Sequence, residues 1–202
     1  MRKIVVPGEL LSDKSPRGKD IIIENGKAYA TVMGVYDDQK NSFVPLEGPW
    51  YPQSDDLVIG IVEEAKLTTS IVDMNSLYKG LLISKYSDTN MESGDIVEAI
   101  VRDVDETRTA VLQRPRKLFG GKIIDVKPTK VHRILGREDT MIRQIEQSTG
   151  ATIKIGMNGR IWIKGGDVAL ASKAILQIEE EAHTSGLTER INKMLTEGKN
   201  NK

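Results

Sequence analysis

The chain has 202 residues, 39% of them hydrophobic and 29% charged, and no net charge because 29 basic side chains balance 29 acidic ones. That is the make-up of an ordinary soluble protein, but aromatics at only 4% argue against one large core and favour several small cores of Val, Ile, Leu and Ala. The lack of Cys excludes disulfides, thiolate metal sites and cysteine nucleophiles; with no apolar run long enough for a signal peptide or a membrane span, the expectation is a cytoplasmic protein.

Residues 1–53 alternate short β-like runs with turn signals: Lys3 to Val6 before Pro7-Gly8, Asp20 to Glu24 before Asn25-Gly26, then Lys27 to Val35. Both central residues of a type I′ turn need φ > 0, which Asn and Gly tolerate. The pattern therefore predicts a hairpin pairing Ile21-Ile22-Ile23 with Tyr29-Ala30-Thr31-Val32. A further run, Ser42 to Leu46, ends in Gly48-Pro49-Trp50-Tyr51-Pro52, a cluster of breakers that reads as a linker. Its two aromatics are expected to cap the first domain, with docking on a partner as the alternative.

Residues 54–116 read as five short strands: Leu57 to Glu63, Thr68 to Asp73, Lys79 to Ile83, Ile96 to Asp103 and Ala110 to Arg114. Turn residues separate them and helical periodicity is absent, so a small barrel is expected.

Residues 117–186 change character after Phe119-Gly120-Gly121. A strand from Lys122 to Val126 precedes Pro128, which suits the first position of a short helix carrying Val131, Ile134 and Leu135 and stopping at Gly136. A second helix is expected from Asp139, with Met141, Ile142 and Ile145 on one face and Gly150 as its stop. Thr152 to Ile155 and Arg160 to Ile163 should form a hairpin around Asn158-Gly159. The last strong helix begins at Asp167 as N-cap and places Val168, Ala171, Ile175, Ile178 and Ala182 at steps of three and four. Residues 187–202 are expected to add a short helix, Leu187 to Leu195, and a disordered polar tail.

The fold class is thus multidomain, mainly β plus α+β, and the charge is uneven along it. Residues 1–53 hold 7 basic and 7 acidic side chains, 54–116 hold 7 and 12, and 117–202 hold 15 and 10. A polyanionic partner would be drawn to the C-terminal third.

The order β-α-α-β-β-α in residues 117–186 resembles a type I KH domain, a module that clamps about four nucleotides through a GXXG loop. Here that loop reads Gly136-Arg137-Glu138-Asp139. The first Gly and a basic residue match, whereas Asp139 replaces the second Gly and follows Glu138. Two carboxylates oppose phosphate, so the loop is expected to be a weakened clamp with Asp139 serving as a helix cap. The five-stranded segment resembles an S1 domain, an OB-fold barrel, in Leu57-Val58-Ile59-Gly60-Ile61-Val62, Gly80-Leu81-Leu82-Ile83-Ser84 and Gly94-Asp95-Ile96-Val97. Its stacking aromatics reduce to Tyr78 and Tyr86.

In series, the three segments resemble the cap subunits of the archaeal RNA exosome, the ribosomal RNA processing protein four family. Val6-Pro7-Gly8, the run from Gly48 to Pro52 leading into Asp56-Leu57-Val58-Ile59-Gly60, and Asn158-Gly159-Arg160-Ile161-Trp162 carry that likeness. The resemblance implies a non-catalytic subunit that recruits single-stranded RNA. Three copies would sit on a hexameric ring of phosphorolytic subunits, with barrels around the pore, KH modules outside and the N-terminal domain as anchor.

Candidate RNA contacts are Lys85, Tyr86, Arg108 and Arg114 on the barrel, chosen as basic or stacking residues in or beside loops. On the KH-like module they are Gly136, Arg137, Lys154 and Arg160. Each of the charged ones has an alternative as a solvated surface charge.

No catalytic residue, metal or cofactor is expected. His132 and His183 stand in charged helical settings, and Gly165-Gly166-Asp167 lacks the Lys and Ser/Thr of a P-loop. Polynucleotide phosphorylase carries its KH and S1 modules in the opposite order, and the other exosome cap type needs the cysteines of a zinc ribbon. The remaining alternative is a stand-alone S1/KH protein bound to messenger or ribosomal RNA.

Overall fold

The structure, a computed structural model, describes residues 2–18, 20–83, 91–106, 109–182, 184 and 186–200. Packing divides the chain into two compact units, Met1–Pro49 and Trp50–Lys202.

The first unit holds two three-stranded antiparallel sheets. One has the order β1 (Arg2–Val5), β5 (Gly34–Asp37), β6 (Ser42–Pro45); the other has the order β2 (Leu10–Ser12), β4 (Lys27–Ala30), β3 (Ile21–Glu24). Val5, Leu11, Ala28, Ala30, Tyr36 and Phe43 form the small core. The Asn25-Gly26 turn forms with φ of 50° and 77°. Because the loop has only two residues, it fixes Glu24 opposite Lys27 and Ile21 opposite Ala30. Thr31 and Val32, which the sequence places in the paired run, therefore lie past the end of β4, the predicted run overshooting the observed strand by two residues. The strand β2 had no sequence signal: three residues with a bulge are too few for periodicity.

The second unit opens with a closed barrel of β7 (Leu57–Ala65), β8 (Thr69–Asp73), β9 (Lys79–Ile83), β10 (Ile96–Val104) and β11 (Ala110–Leu118). Neighbours pair antiparallel except β9 and β11, which run parallel, the closure of an OB-fold. The strand β11 continues four residues past its predicted end, through Pro115. It does so because β9 pairs with it only at Ala110 to Leu112, and a register shift on the β10 side leaves Arg114 and Pro115 outside the ladder. Trp50 is buried in this barrel's core among Val58, Val72, Met74 and Leu112, and its indole N–H donates to Asp56 at 3.0 Å. It plugs the barrel and does not cap the first domain as expected from the sequence; the apolar demand of a closed five-stranded interior outweighs its position in a linker.

The KH-like part has the antiparallel sheet order β12 (Lys122–Asp125), β14 (Arg160–Lys164), β13 (Thr152–Ile155). A 3-10 turn over Pro128–Lys130 leads into α1 (Val131–Leu135), followed by α2 (Thr140–Thr149), α3 (Val168–Glu180) and α4 (Leu187–Asn200). Val131, Ile134, Ile145, Ile161, Ile163, Ala171, Ile175 and Ile178 fill the core between helices and sheet. Asp167 caps α3 as expected, accepting from the Leu170 N–H at 2.9 Å. The predicted disordered tail is instead helical to Asn200, because Leu187, Ile191 and Leu195 bury one stripe against the KH core. Asp139 occupies the cap position of α2 but its side chain makes no capping bond. It sits at φ 60°, left-handed, next to Glu138 at φ 52°. The residue replacing the second loop glycine thus adopts a conformation that Asp and Asn tolerate better than most, and its cap role is not realised.

Candidate nucleic-acid interface

The sheet of the KH-like part alternates its side chains in the usual way, so Ile161 and Ile163 face the helices while Arg160 and Trp162 face the other side. That second face is covered by the barrel. Trp162 packs with Ile59 and Leu118 of the barrel, flanked by Ile96 and Ile123, and its indole N–H donates to the Gly120 carbonyl at 2.7 Å.

The tip of the β13–β14 hairpin completes the contact. The strand β8 pairs with β7 only from Ile61 to Ala65, which leaves the start of β7 without a strand on that side. The hairpin takes the vacant place: the Met157 N–H donates to the Leu57 carbonyl at 2.7 Å. Asn158, with no exposed surface, uses its side-chain amide as a strand would use its backbone. Its Oδ1 accepts from the Ile59 N–H at 3.3 Å, and its Nδ2 donates to the carbonyls of Ile59 and Met74, each at 2.8 Å. Gly156 permits the approach, since a Cβ there would lie 2.7 Å from the Ile59 nitrogen.

Arg160 lies beside this tip. Its guanidinium is nearly buried and donates to the Asp73 carbonyl at 2.7 Å and to the Asp73 carboxylate at 2.5 Å, while its Nε is a longer 3.5 Å from Asp125. Burial pushes the Asp73 carboxyl up, but the hydrogen bond and charge of Arg160 outweigh it and hold the group below the usual carboxylate value, helped by the Asn75 N–H. Arg160 is therefore committed to joining barrel and KH sheet rather than offered to a ligand.

The other sequence candidates fall in different places. Lys154 shares the barrel-facing side of the sheet, its ammonium 3.8 Å from Glu98. Arg116, which sequence reasoning did not select, approaches the same carboxylate at 3.7 Å, so one anion bridges two cations at the seam. Arg114 is exposed two residues earlier, at φ 52° in the β11 irregularity. Arg137 is exposed in the α1–α2 loop, in the helical layer on the opposite side of the sheet from Lys154. Gly136 adopts φ 76° and ψ −176°, a conformation that essentially only glycine reaches, so the loop turns sharply out of α1. Lys85, Tyr86 and Arg108 lie outside the described residues. Among the described candidates, Arg114, Gly136 and Arg137, Lys154 and Arg160 fall on separate parts of the barrel and the KH-like module. The signal that could have found Arg116 is its spacing from Arg114, both on the same face of one strand before the bulge is considered. Among the described residues no group of His, Asp and Glu is placed to hold a metal ion, and no helix among them is long and apolar enough to cross a membrane.

Two family models match. Residues 2–47 fit the Exosome RNA binding protein RRP4 N-terminal domain, and residues 121–169 fit a KH domain. The chain is 39% identical to the exosome complex component Rrp4 of Methanosarcina mazei over 94% of its own length and 80% of that protein's. It belongs to the Rrp4 family. The Rrp4 of Methanothermus fervidus is 35% identical, with 96% of this chain and 95% of the relative aligned, and that of Pyrococcus furiosus is also 35% identical over 96% and 83%. Among solved structures, an exosome complex RNA-binding protein superposes with a TM-score of 0.68 at 32% identity, over 76% of this chain and 98% of the other. The barrel between the two matched segments is thus part of an Rrp4-like series of modules.

Proposed function

We propose that this chain is a non-catalytic, RNA-binding cap subunit of an archaeal exosome. It brings single-stranded RNA to the pore of a hexameric ring of phosphorolytic subunits in the cytoplasm, three copies to a ring. The observation that carries the reading is the likeness, along nearly the whole of this chain, to proteins named exosome complex component Rrp4.

The first unit, residues 1–53 in the sequence reading, is the ring anchor. Its surface supports this role: Ile4, Val35 and Val44 stand side by side across β1, β5 and β6, and Ile4 and Val44 are 69% and 58% exposed. Val6, Leu10, Ile22, Ile23 and Met33 are exposed in the same small unit. So many open apolar groups on so small a domain mark an interaction surface. RNA contacts come from exposed cations, Arg114 and Arg116 on the barrel and Arg137 in the KH loop, with Lys85, Tyr86, Arg108 and Lys154 as further members. Arg160 supports them from the seam.

Co-purification with ring subunits followed by native mass spectrometry tests the assembly. Three copies per six ring subunits are expected, and an Ile4→Asp, Val44→Asp double variant should lose the ring while keeping its folded spectrum. RNA affinity should fall with rising salt, with a shallower slope once Arg114 and Arg116 are replaced by Ala. Retained ring binding by the double variant, or phosphorolysis of RNA by the purified chain alone, overturns the reading.

A further inference from the structure

The linker that enters the barrel carries an exposed aromatic between two anchored neighbours. Trp50 and Pro52 are buried, and Tyr51 between them is 41% exposed. Its ring meets Tyr78 of the β8–β9 loop with centroids 5.9 Å apart and planes tilted by 47°. Leu77, next in the chain to Tyr78, is 86% exposed.

This loop is fixed from several sides. Ser76 Oγ donates to the Trp50 carbonyl, and the Tyr78 N–H donates to Ser76 Oγ, both at 3.3 Å. At the start of the loop, Asn158 holds the Met74 carbonyl and Arg160 holds the Asp73 carbonyl. Tyr51 is thus an exposed ring backed by a half-buried one, since Tyr78 packs against the barrel core, and so rigid an aromatic pair costs little ordering entropy when a planar ligand stacks on its open side.

Its size decides what it can take. A stable protein interface buries about 800 Å² per partner. Two tyrosine rings and a leucine, partly covered, present on the order of 200 Å². That is too little for a protein partner and fits one or two nucleobases. The nearby Lys79 is paired with Glu63 at 2.5 Å, so the surroundings suit the faces of bases better than phosphates.

The geometry points to a base-stacking platform at Tyr51 and Tyr78, with Leu77 at its edge, that takes the bases of single-stranded RNA beside the barrel–KH seam. Asn158 and Arg160 are its positioning residues. The inference rests on the RNA-binding reading above and adds a site that basic residues do not mark.

The test is binding of a fluorescein-labelled oligoadenylate to the 202-residue chain and to its co-purified ring complex. Tyr51→Ala should weaken binding roughly 5- to 150-fold, the range for loss of one stacked base, while Tyr51→Phe stays near the parent because the ring remains. The salt slope should be the same in all three, since no phosphate contact is removed. Photocrosslinking to a strand carrying 4-thiouridine should label the peptide containing Tyr51 or Tyr78. Unchanged affinity in Tyr51→Ala with normal binding by the parent overturns the platform alone, as does loss of ring association in that variant with RNA binding intact. If neither parent preparation binds the oligomer, the RNA reading falls and the platform with it.

Discussion

Replacing Asn158 by Ala tests the idea that a side-chain amide finishes the edge of the barrel. Three hydrogen bonds disappear, and the Ile59 N–H, the Ile59 carbonyl and the Met74 carbonyl lose their partner in a site with no exposure. A buried polar group left unpaired costs about 1 to 3 kcal/mol, and water entering the vacated volume recovers part of it. The expected loss is about 3 to 5 kcal/mol, near the top of the range for single substitutions. In a unit of this size it lowers the midpoint of melting by about 10 °C. Asn158→Asp is the sharper control. It keeps the shape and the acceptor for Ile59 N–H but sets an anion against two carbonyls, so it should destabilise at least as much as Ala. Denaturation in guanidinium gives the magnitude, and hydrogen exchange at Ile59 gives the location. A loss under about 0.5 kcal/mol, the scale of an ordinary surface change, or an Asp variant close to the parent, would refute the reasoning.

Two further outcomes follow from the same unit. Asp73 is held below its ordinary value of 3.8 in the folded chain, so its pairing with Arg160 contributes in full above about pH 4 and is lost as the pH falls through the folded value. The stability gap between parent and Asp73→Asn, measured in urea, should therefore narrow from pH 5 to pH 3; a constant gap removes the ion pair as its cause. Trp50→Ala should cost about 3 to 5 kcal/mol, as for a large buried ring, and should loosen exchange in the barrel while residues 2–49 keep their protection. The opposite distribution would restore the first-domain cap expected from sequence.

Much of the architecture was legible because the local signals were strong. Asn25-Gly26 allows one kind of turn, Asp167 heads a long apolar stripe at helical spacing, and five strands separated by Gly and Asp turns admit few closures. What failed was whatever depends on contacts distant in the chain. Trp50 looked like a linker aromatic because nothing local says that a barrel interior awaits it. The spacing of Leu187, Ile191 and Leu195 predicts a short helix, yet with that stripe covering the KH core the helix runs to Asn200. The site was less legible still. Arg160 has the composition of an RNA contact, and only its partner Asp73, 87 residues earlier, reveals its use. Asp139 has the residue type of a helix cap, whereas its backbone is left-handed and its side chain makes no capping bond.

The borrowed strand place at the start of β7 has a consequence for synthesis. Ile59 and Asn158 are 99 residues apart, and at about 5 to 20 residues per second a ribosome needs roughly 5 to 20 s to deliver the second after the first. During that interval a nascent barrel presents an unpaired strand edge, the kind of template on which another chain can add. A chain halted before residue 156 would keep that edge permanently. Such fragments should form aggregates in which the Leu57 to Ile59 segment is protected from exchange by a neighbour's strand, where in the finished chain it is protected by its own Asn158.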